Sequence, residues 1–334
     1  MNKHKSKITP ILEQLAHAHG CEFYAMSAKP DTGYIIDTTG AKHYFSYGTL
    51  DLNNIAATEI AGSKILSSEI VSSVGIRVPR EIVVSHSTKL KTDIRITLKK
   101  IDMPAIIKPV HGAQGKNIFK IDSIDGLELI IDDNDFDTDD LIVQEYIDSP
   151  IEIRVVLLDG EIIQSYKRDY SHIIGDGIST IKGLIEKRNA YFQDRKRNTR
   201  IDFNDSQLTA ILKRHKYNLD FALPRGERLN ISYGRNLSRG GEYEFVSDRL
   251  SPLIIDISKK IAAISTLRLI GIDLFVLGEL ETVKDENQVV FIEYNASPDM
   301  ENNFYYDVGY DQELSLIYEK IFSKMIKNHD IRSQ

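Results

Sequence analysis

Apolar residues at Ile8, Ile11, Leu12 and Leu15 recur at helical spacing, so ITPILEQLAHAHG predicts an amphipathic helix. The short segments CEFYAM, GYIID and KHYFSY follow it, and together they predict a small N-terminal unit over residues 1–55. From Ala56 the run AATEIAGSKILSSEIVSSVGI predicts one helix ending near Gly75, with VPREIVV a strand after Pro79. ITLKKI leads to Met103, PAIIKPV is a strand running into the loop HGAQGKN, and IFKI returns, giving a strand, a glycine-bearing turn and a strand over 105–121. A helix near 123–131 precedes LIVQEYI, an apolar run short enough for a buried strand. EIRVVLLDGEIIQSYKRD predicts a hairpin turned at Asp159 and Gly160. Helices are expected over 178–194 and 205–217, strands around LNISYGRNLSRGGEYEF, and a helix over 250–267. The strands LIGIDLFVL and VVFIEYNASP and a closing helix near 311–327 complete the pattern, without internal repeats or low-complexity linkers.

Composition narrows the classes. A chain of 334 residues with 42% hydrophobic and 27% charged residues is an ordinary globular sequence able to bury a large core. The single Cys21 excludes an intrachain disulfide and a thiolate zinc site, so a reducing cytoplasm is the expected compartment. MNKHKSK is basic, but the following stretch lacks the continuous apolar core of a signal peptide, and no run approaches the roughly 20 apolar residues of a membrane span. The formal net charge of -7 argues against a general nucleic-acid binder, which leaves small molecules as the expected partners. DDNDFDTDD at 132–140 lacks the turn glycine and distal glutamate of a calcium loop and reads as a solvated loop. EKRNAYFQDRKRNTR at 186–200 reads as a water-facing helix, with RNA or an anionic substrate as the alternative.

Four groups of residues carry candidate chemistry. Lys108 ends the apolar strand PAIIKP, where its charge either points into a cleft or snorkels to the surface. The loop Gly112-Ala113-Gln114-Gly115-Lys116 can present backbone N–H groups to phosphate oxygens, or it is simply a hairpin turn. LIVQEYI followed by Glu152 reads as an adenine hinge, with Gln144 and the backbone of Glu145 and Ile147 at the base edge and Glu152 at the ribose, or else as a core strand with an exposed acid. Asp273 in GIDLFV and Glu293 and Asn295 in VVFIEYNASP fall on adjacent strands. The two-residue spacing puts Glu293 and Asn295 on one face, and oxygen ligands of this kind suit magnesium.

Taken together, Lys64, IIKP with its glycine loop, VQEYI-x4-E-x-R, GIDL and FIEYNASP resemble the ATP-grasp superfamily from Ala56 to about Gly309. KRDYSHIIGDGISTIKGLIEKRN, ERLNI and NLSRGG are similar to the cyanophycin synthetase group and to the ATP-grasp half of bifunctional glutathione synthetases. The resemblance implies an α+β fold whose two lobes, 56–146 with the glycine loop and 147–334 with the metal site, clasp ATP behind the small unit 1–55. It implies a carboxylate–amine ligase, working through an acyl phosphate and releasing ADP and phosphate, with a small-molecule kinase or a non-catalytic nucleotide-binding module as alternatives. By matched position Lys64 and Lys108, with Gly112, Gln114 and Gly115, would hold phosphates, and Glu152 the ribose. Asp273, Glu293 and Asn295 would bind Mg2+, two ions with Mn2+ as a substitute. Arg168 would stabilise the transferring phosphoryl group, and Asn236, Ser238, Gly240 and Gly241 would lie near the acid substrate. The implied partners are amino acids or peptides supplying a carboxylate and an amine, with no nucleic acid and no membrane, and self-association is allowed. Two positions differ from the group: Asp169-Tyr170-Ser171 follows Arg168 where Arg-x-Pro-Ala is usual, and Arg239 stands where NLSxGG usually has a small residue.

Overall fold

The computed structural model describes residues 6–84, 100–110, 118–123, 140–148, 151–195, 199–300 and 310–327. The glycine loop at 111–117, residues 85–99 and residues 124–139 lie outside these, so the expectations for the loop, for the helix near 123–131 and for the aspartate run fall on residues not described.

Helix α1 (Ile8–Ala18) buries Ile8, Leu12 and Ala16 along one face. Strands β1 (Glu22–Met26), β2 (Lys29–Ile36), β3 (Lys42–Ser46) and the short β4 (Thr49–Leu50) form an antiparallel sheet in sequence order. This unit does not close on itself. Leu12, Ile35 and Phe45 share a core with Val156, Leu158 and Leu269 and with Leu314, Tyr318 and Phe322 of the closing helix.

The run predicted as one helix up to Gly75 forms two, α2 (Ile55–Ala61) and α3 (Lys64–Ser72). Ser63 takes extended dihedrals and its side chain accepts from Leu66 N–H, so it caps a new helix and starts it at Lys64. Asn54 caps α2 in the same way through Ala57 N–H. Ala57 and Val71 join the core of a large sheet described below.

Strands β5 (Glu81–Val84), β6 (Ala105–Pro109), β7 (Phe119–Ile121) and β8 (Leu141–Glu145) pair antiparallel in the order β5-β8-β6-β7. Alternation divides them. Ala105, Ile107, Phe119, Ile121, Leu141 and Val143 meet in one core, while Ile106, Lys108 and Gln144 face a cleft.

The large sheet begins with β9 (Ile151–Leu158) and β10 (Glu161–Asp169), joined by the expected turn with Asp159 at φ 49° and Gly160 at φ 80°, the left-handed pair that suits a two-residue hairpin. The short pair β11 (His172–Ile174) and β12 (Arg228–Asn230) is packed by α4 (Ile181–Asp194) and α5 (Ser206–His215) around Ile173, Ile185, Phe192, Leu208 and Ile231. Phe192 of the basic run is therefore core, whereas Tyr191 faces outward beneath Arg195. Strands β13 (Glu242–Phe245), β14 (Leu269–Val276) and β15 (Val289–Asn295) complete the large sheet in the order β13-β10-β9-β14-β15, with α6 (Pro252–Ser265) on one face and α7 (Tyr310–Ile326) as the closing helix.

On β9, Ile153, Val155 and Leu157 enter the core beneath α2, α3 and α6. The opposite face is shared between two jobs: Val156 and Leu158 lie under the N-terminal unit, while Glu152 and Arg154, nearer the strand start, carry charge. β14 repeats this division, with Ile270, Ile272 and Leu274 inward and Asp273 and Phe275 on the cleft. Among the described residues no helix is long and apolar enough to cross a membrane.

Candidate active site

The four-stranded sheet β5–β8 and the large sheet face each other across a cleft of about 190 Å³. On the first wall Lys108 is buried, and its Nζ donates to Gln144 Oε1 at 3.0 Å, while Gln144 Nε2 donates to Glu81 Oε2 at 2.7 Å. Burial pulls the Lys108 pKa down to about 8 against the opposing pull of Glu81 and Glu293, and the Lys64 charge lowers it further. Glu145 and Ile147 line the same wall. The Glu145 N–H donates to Arg80 O at 2.8 Å, and its carboxylate meets Arg77 and Arg80 at 3.6 and 3.5 Å. Tyr146 adds an aromatic surface whose phenol burial pushes up to about 12.

The second wall is a chain of buried charges set by strand register. Glu152 sits opposite Arg168 on β10 and Phe275 on β14, and Arg154 sits opposite Asp273. The Arg154 fork closes on Asp273, Nε to Oδ1 and Nη2 to Oδ2, both at 2.6 Å. Arg168 Nη1 bridges the two acids, at 3.1 Å from Asp273 Oδ2 and 3.1 Å from Glu152 Oε1. Arg235 Nη1 takes the other oxygen of Glu152 at 3.2 Å, and its guanidinium lies over the ring of Tyr170 at 4.2 Å and that of Phe275 at 5.5 Å. Burial alone would raise the Asp273 pKa, but Arg154 and Arg168 together hold it below the usual carboxylate range. Burial and the Arg154 charge push the Arg168 pKa down, and Asp273, Tyr166 and Glu152 outweigh them and leave it raised. Arg168 Nε is buried and has no hydrogen-bond partner among the described residues.

Glu293 reaches this wall because of a bulge. Asp273 pairs with Glu293 and Leu274 with Phe291, so Ile292 is an extra residue on β15. Without it Glu293 would share the inward face of Phe291; with it, Phe291 and Tyr294 both enter the core and Glu293 turns to the cleft, 3.9 Å from Lys64 Nζ. Asn295, opposite Gly271, is outside the cleft lining, and its Nδ2 is buried without a partner among the described residues.

The segment after β12 supplies Arg235 and Asn236 to the cleft. Ser238 follows in the 3-10 turn Leu237–Arg239, where only its backbone is described. Gly240 and Gly241 shape this turn instead of lining the cleft. Gly240 has φ 91°, and a Cβ at Gly241 would lie 2.9 Å from the carbonyl oxygens of Asp169, Arg235 and Asn236. Lys64, Lys108, Gln144, Glu145, Ile147, Glu152, Arg168, Asn236, Asp273 and Glu293 thus converge from the sequence expectations. The sequence pattern assigns no role to Arg154, Tyr170 or Arg235. For Arg154 a signal existed, since Glu152-x-Arg154 puts both charges on one strand face.

Two α+β lobes facing each other across this cleft form an ATP-grasp fold, and the RimK-like ATP-grasp domain matches residues 61–172 of the chain. The structure of a bifunctional glutathione synthetase from Pasteurella multocida superimposes with a TM-score of 0.58 over 93% of this chain and 44% of that one, at 14% identity, a likeness of fold. In sequence the chain is 28% identical to cyanophycin synthetase of Synechocystis sp. over 258 residues, 74% of this chain and 28% of that protein. It is 25% identical to the glutathione biosynthesis bifunctional protein GshAB of Streptococcus agalactiae over 233 residues, 67% of this chain and 31% of that protein. The chain therefore spans under a third of the length of these curated relatives.

Proposed function

We propose that the protein is an ATP-dependent carboxylate–amine ligase that forms an amide or peptide bond through an acyl phosphate, releasing ADP and phosphate, with amino acids or small peptides as substrates. The observation that carries the reading is the second wall of the cleft: the buried guanidiniums of Arg168 and Arg235 and the part-buried one of Arg154 share two carboxylates, and among the described residues Arg168 Nε has no partner. A buried donor without a partner is costly, and a polyanion arriving in the cleft would supply the missing acceptor. Lys108 and Lys64 add charge from the facing wall.

The residues present fit ATP and magnesium. Lys64, Lys108 and the loop with Gly112, Gln114 and Gly115 would hold the phosphates. Gln144, Glu145 and Ile147 would border adenine, and Glu152 the ribose. Glu293, which turns to the cleft, would offer oxygens for metal, and Asn295, outside the cleft lining, would join it only by turning its amide oxygen toward the cleft. Three of the roughly four lone-pair directions of Asp273 accept from Arg154 and Arg168, leaving one on Oδ1. Two Mg2+ ions, or Mn2+ in their place, would neutralise phosphate charge when bound. Arg168 and Arg235 would offset charge on the acid as it is activated, Asn236 would orient it, and the glycine loop would keep water from the activated acid. The reaction would run in the cytoplasm, and a homo-oligomer is compatible with it. The proposed segments 1–55, 56–146 and 147–334 keep one chain of roles: support, phosphate cradle, and metal and acid site.

The test is ADP release from a panel of amino acids and dipeptides, offered singly and in pairs, with hydroxylamine to trap the activated acid. ADP formed only with a competent pair, and a hydroxamate when the amine is replaced, support the reading. Stoichiometric AMP and pyrophosphate, or phosphorylation of a hydroxyl without hydroxamate, overturn it. Glu293→Gln, which keeps size and removes charge, is expected to raise the magnesium requirement by at least the roughly ten- to hundred-fold that even an outer-shell loss causes. A magnesium titration of turnover identical to wild type would remove Glu293 from the metal site.

A further inference from the structure

We propose that a second cavity, behind the wall of the cleft, binds a small α-amino acid as its zwitterion. The partition between the two spaces is a single pair of strand ends. Tyr170 and Tyr233 line the cleft, whereas their neighbours Ser171 and Ser232 line the second cavity, and Ile231 N–H donates to Ser171 O at 2.8 Å across the seam. The cavity, of about 140 Å³, has an aliphatic floor of Ile201, Leu208 and Ile231.

Its mouth carries Arg200 and Arg239 together with Asp202 and Asp205. Arg239 Nη2 meets Asp205 Oδ2, while the other oxygen of Asp205 accepts from the N–H groups of Gln207 and Leu208 at the start of α5. Two cations and two anions make a mouth without net formal charge but with both signs present. Such a rim gains little from a simple anion or a simple cation, since each meets one like charge for every opposite one. A molecule carrying a carboxylate and an ammonium a few bonds apart matches it, the carboxylate facing Arg239 and the ammonium facing Asp205.

Inside, Ser171 is 1% exposed and its hydroxyl has no partner among the described residues. Gly240 keeps the space beside that hydroxyl open: a Cβ there would stand 2.7 Å from Ser171 Oγ. Ser232 by contrast is satisfied, donating to Gly234 O at 2.7 Å. A buried hydroxyl without a partner calls for an explanation, and one that can donate to a carboxylate or accept from an ammonium is completed by the same ligand that fits the mouth. The aliphatic floor and small volume restrict the side chain to the size of alanine or valine.

This site goes beyond the ligase reading and is tested without turnover. The full chain, free of nucleotide, is titrated calorimetrically with L-alanine and L-valine, and with N-acetyl-L-valine and L-valinamide, each of which lacks one of the two charges. The free amino acids are expected to bind and the blocked ones to fail at the same concentration. Arg239→Gln, which leaves the Asp205 cap in place, should weaken binding about ten-fold or more. Ser171→Ala should weaken it about three-fold or more with an unchanged melting temperature, because among the described residues the hydroxyl has no partner to lose. Lys108→Ala should lower ADP release by about 10²–10³ and leave amino-acid binding intact, so failure of the ligase reading and failure of this site are separable. A labelled amino acid recovered in amide product identifies it as substrate; the label recovered free while the rate of ADP release changes identifies an effector. No binding of either amino acid, equal binding of the blocked forms, or equal affinity in Arg239→Gln and Ser171→Ala would show a structural ion pair and nothing more.

Discussion

Asp273→Asn is expected to lower stability by about 3–5 kcal/mol, because it removes one member of a buried ion network and leaves its cations behind. Asp273 is 2% exposed and accepts three hydrogen bonds from Arg154 and Arg168. Asparagine keeps the shape but has one accepting oxygen, so two guanidiniums lose charge and geometry together. Turnover should vanish with it, since Arg168 is aimed by this carboxylate. The pH dependence carries the sign. A carboxyl whose folded pKa is depressed stabilises the fold fully above its unfolded value, and that contribution disappears as pH falls through the folded value. Wild-type stability should therefore drop on the acid side more steeply than that of the variant. Denaturant melts of both proteins across the acid range measure this, and replacing Arg154 by methionine in the variant should return part of the loss. Equal midpoints for wild type and Asp273→Asn would show that the network contributes nothing to the fold.

What the sequence could and could not announce follows from where the information lies. Strands such as LIGIDLFVL and hairpins such as the one at Asp159-Gly160 are written in local pattern and turn chemistry, and both form where expected. Lys108, Asp273 and Glu293 were legible because a charge amid apolar strand residues needs a reason to be there. The break between α2 and α3 was missed because Gly62 is tolerated within a helical pattern, and the decision belongs to the Ser63 cap. The bulge at Ile292 was invisible for another reason. An apolar residue in an apolar run carries no mark, and its effect appears only once β14 fixes the register. Arg235 lies in the irregular stretch SYGRNLS, and its partner Glu152 is 83 residues earlier, so nothing local links the two.

Lys108→Met is expected to make the protein more stable and far less active, opposite signs from one substitution. The lysine is buried on an apolar strand, and desolvation lowers its pKa from 10.5 to about 8. That gap corresponds to about 3 kcal/mol set against the fold wherever the lysine is charged. Methionine fills similar space without charge but leaves Gln144 Oε1 without its donor, a loss of about 1 kcal/mol, so a net gain of about 2 kcal/mol is expected near neutral pH. The gain should be constant below about pH 8 and shrink as pH rises from there toward 10.5, because over that range the unfolded chain binds the proton more tightly and wild type recovers the difference. Activity moves the other way. A cation facing the cleft is most effective where charge develops in a dry site, and losing one such donor typically lowers kcat by about 10²–10³. In wild type, kcat/KM should fall as pH rises through about 8, as the free enzyme loses the Lys108 proton, and the methionine variant should lack that limb. The measurements are paired: denaturant midpoints from neutral to alkaline pH, and ADP release over the same range. A variant that melts earlier than wild type, or one that keeps both its rate and its alkaline limb, would place the critical charge on another residue.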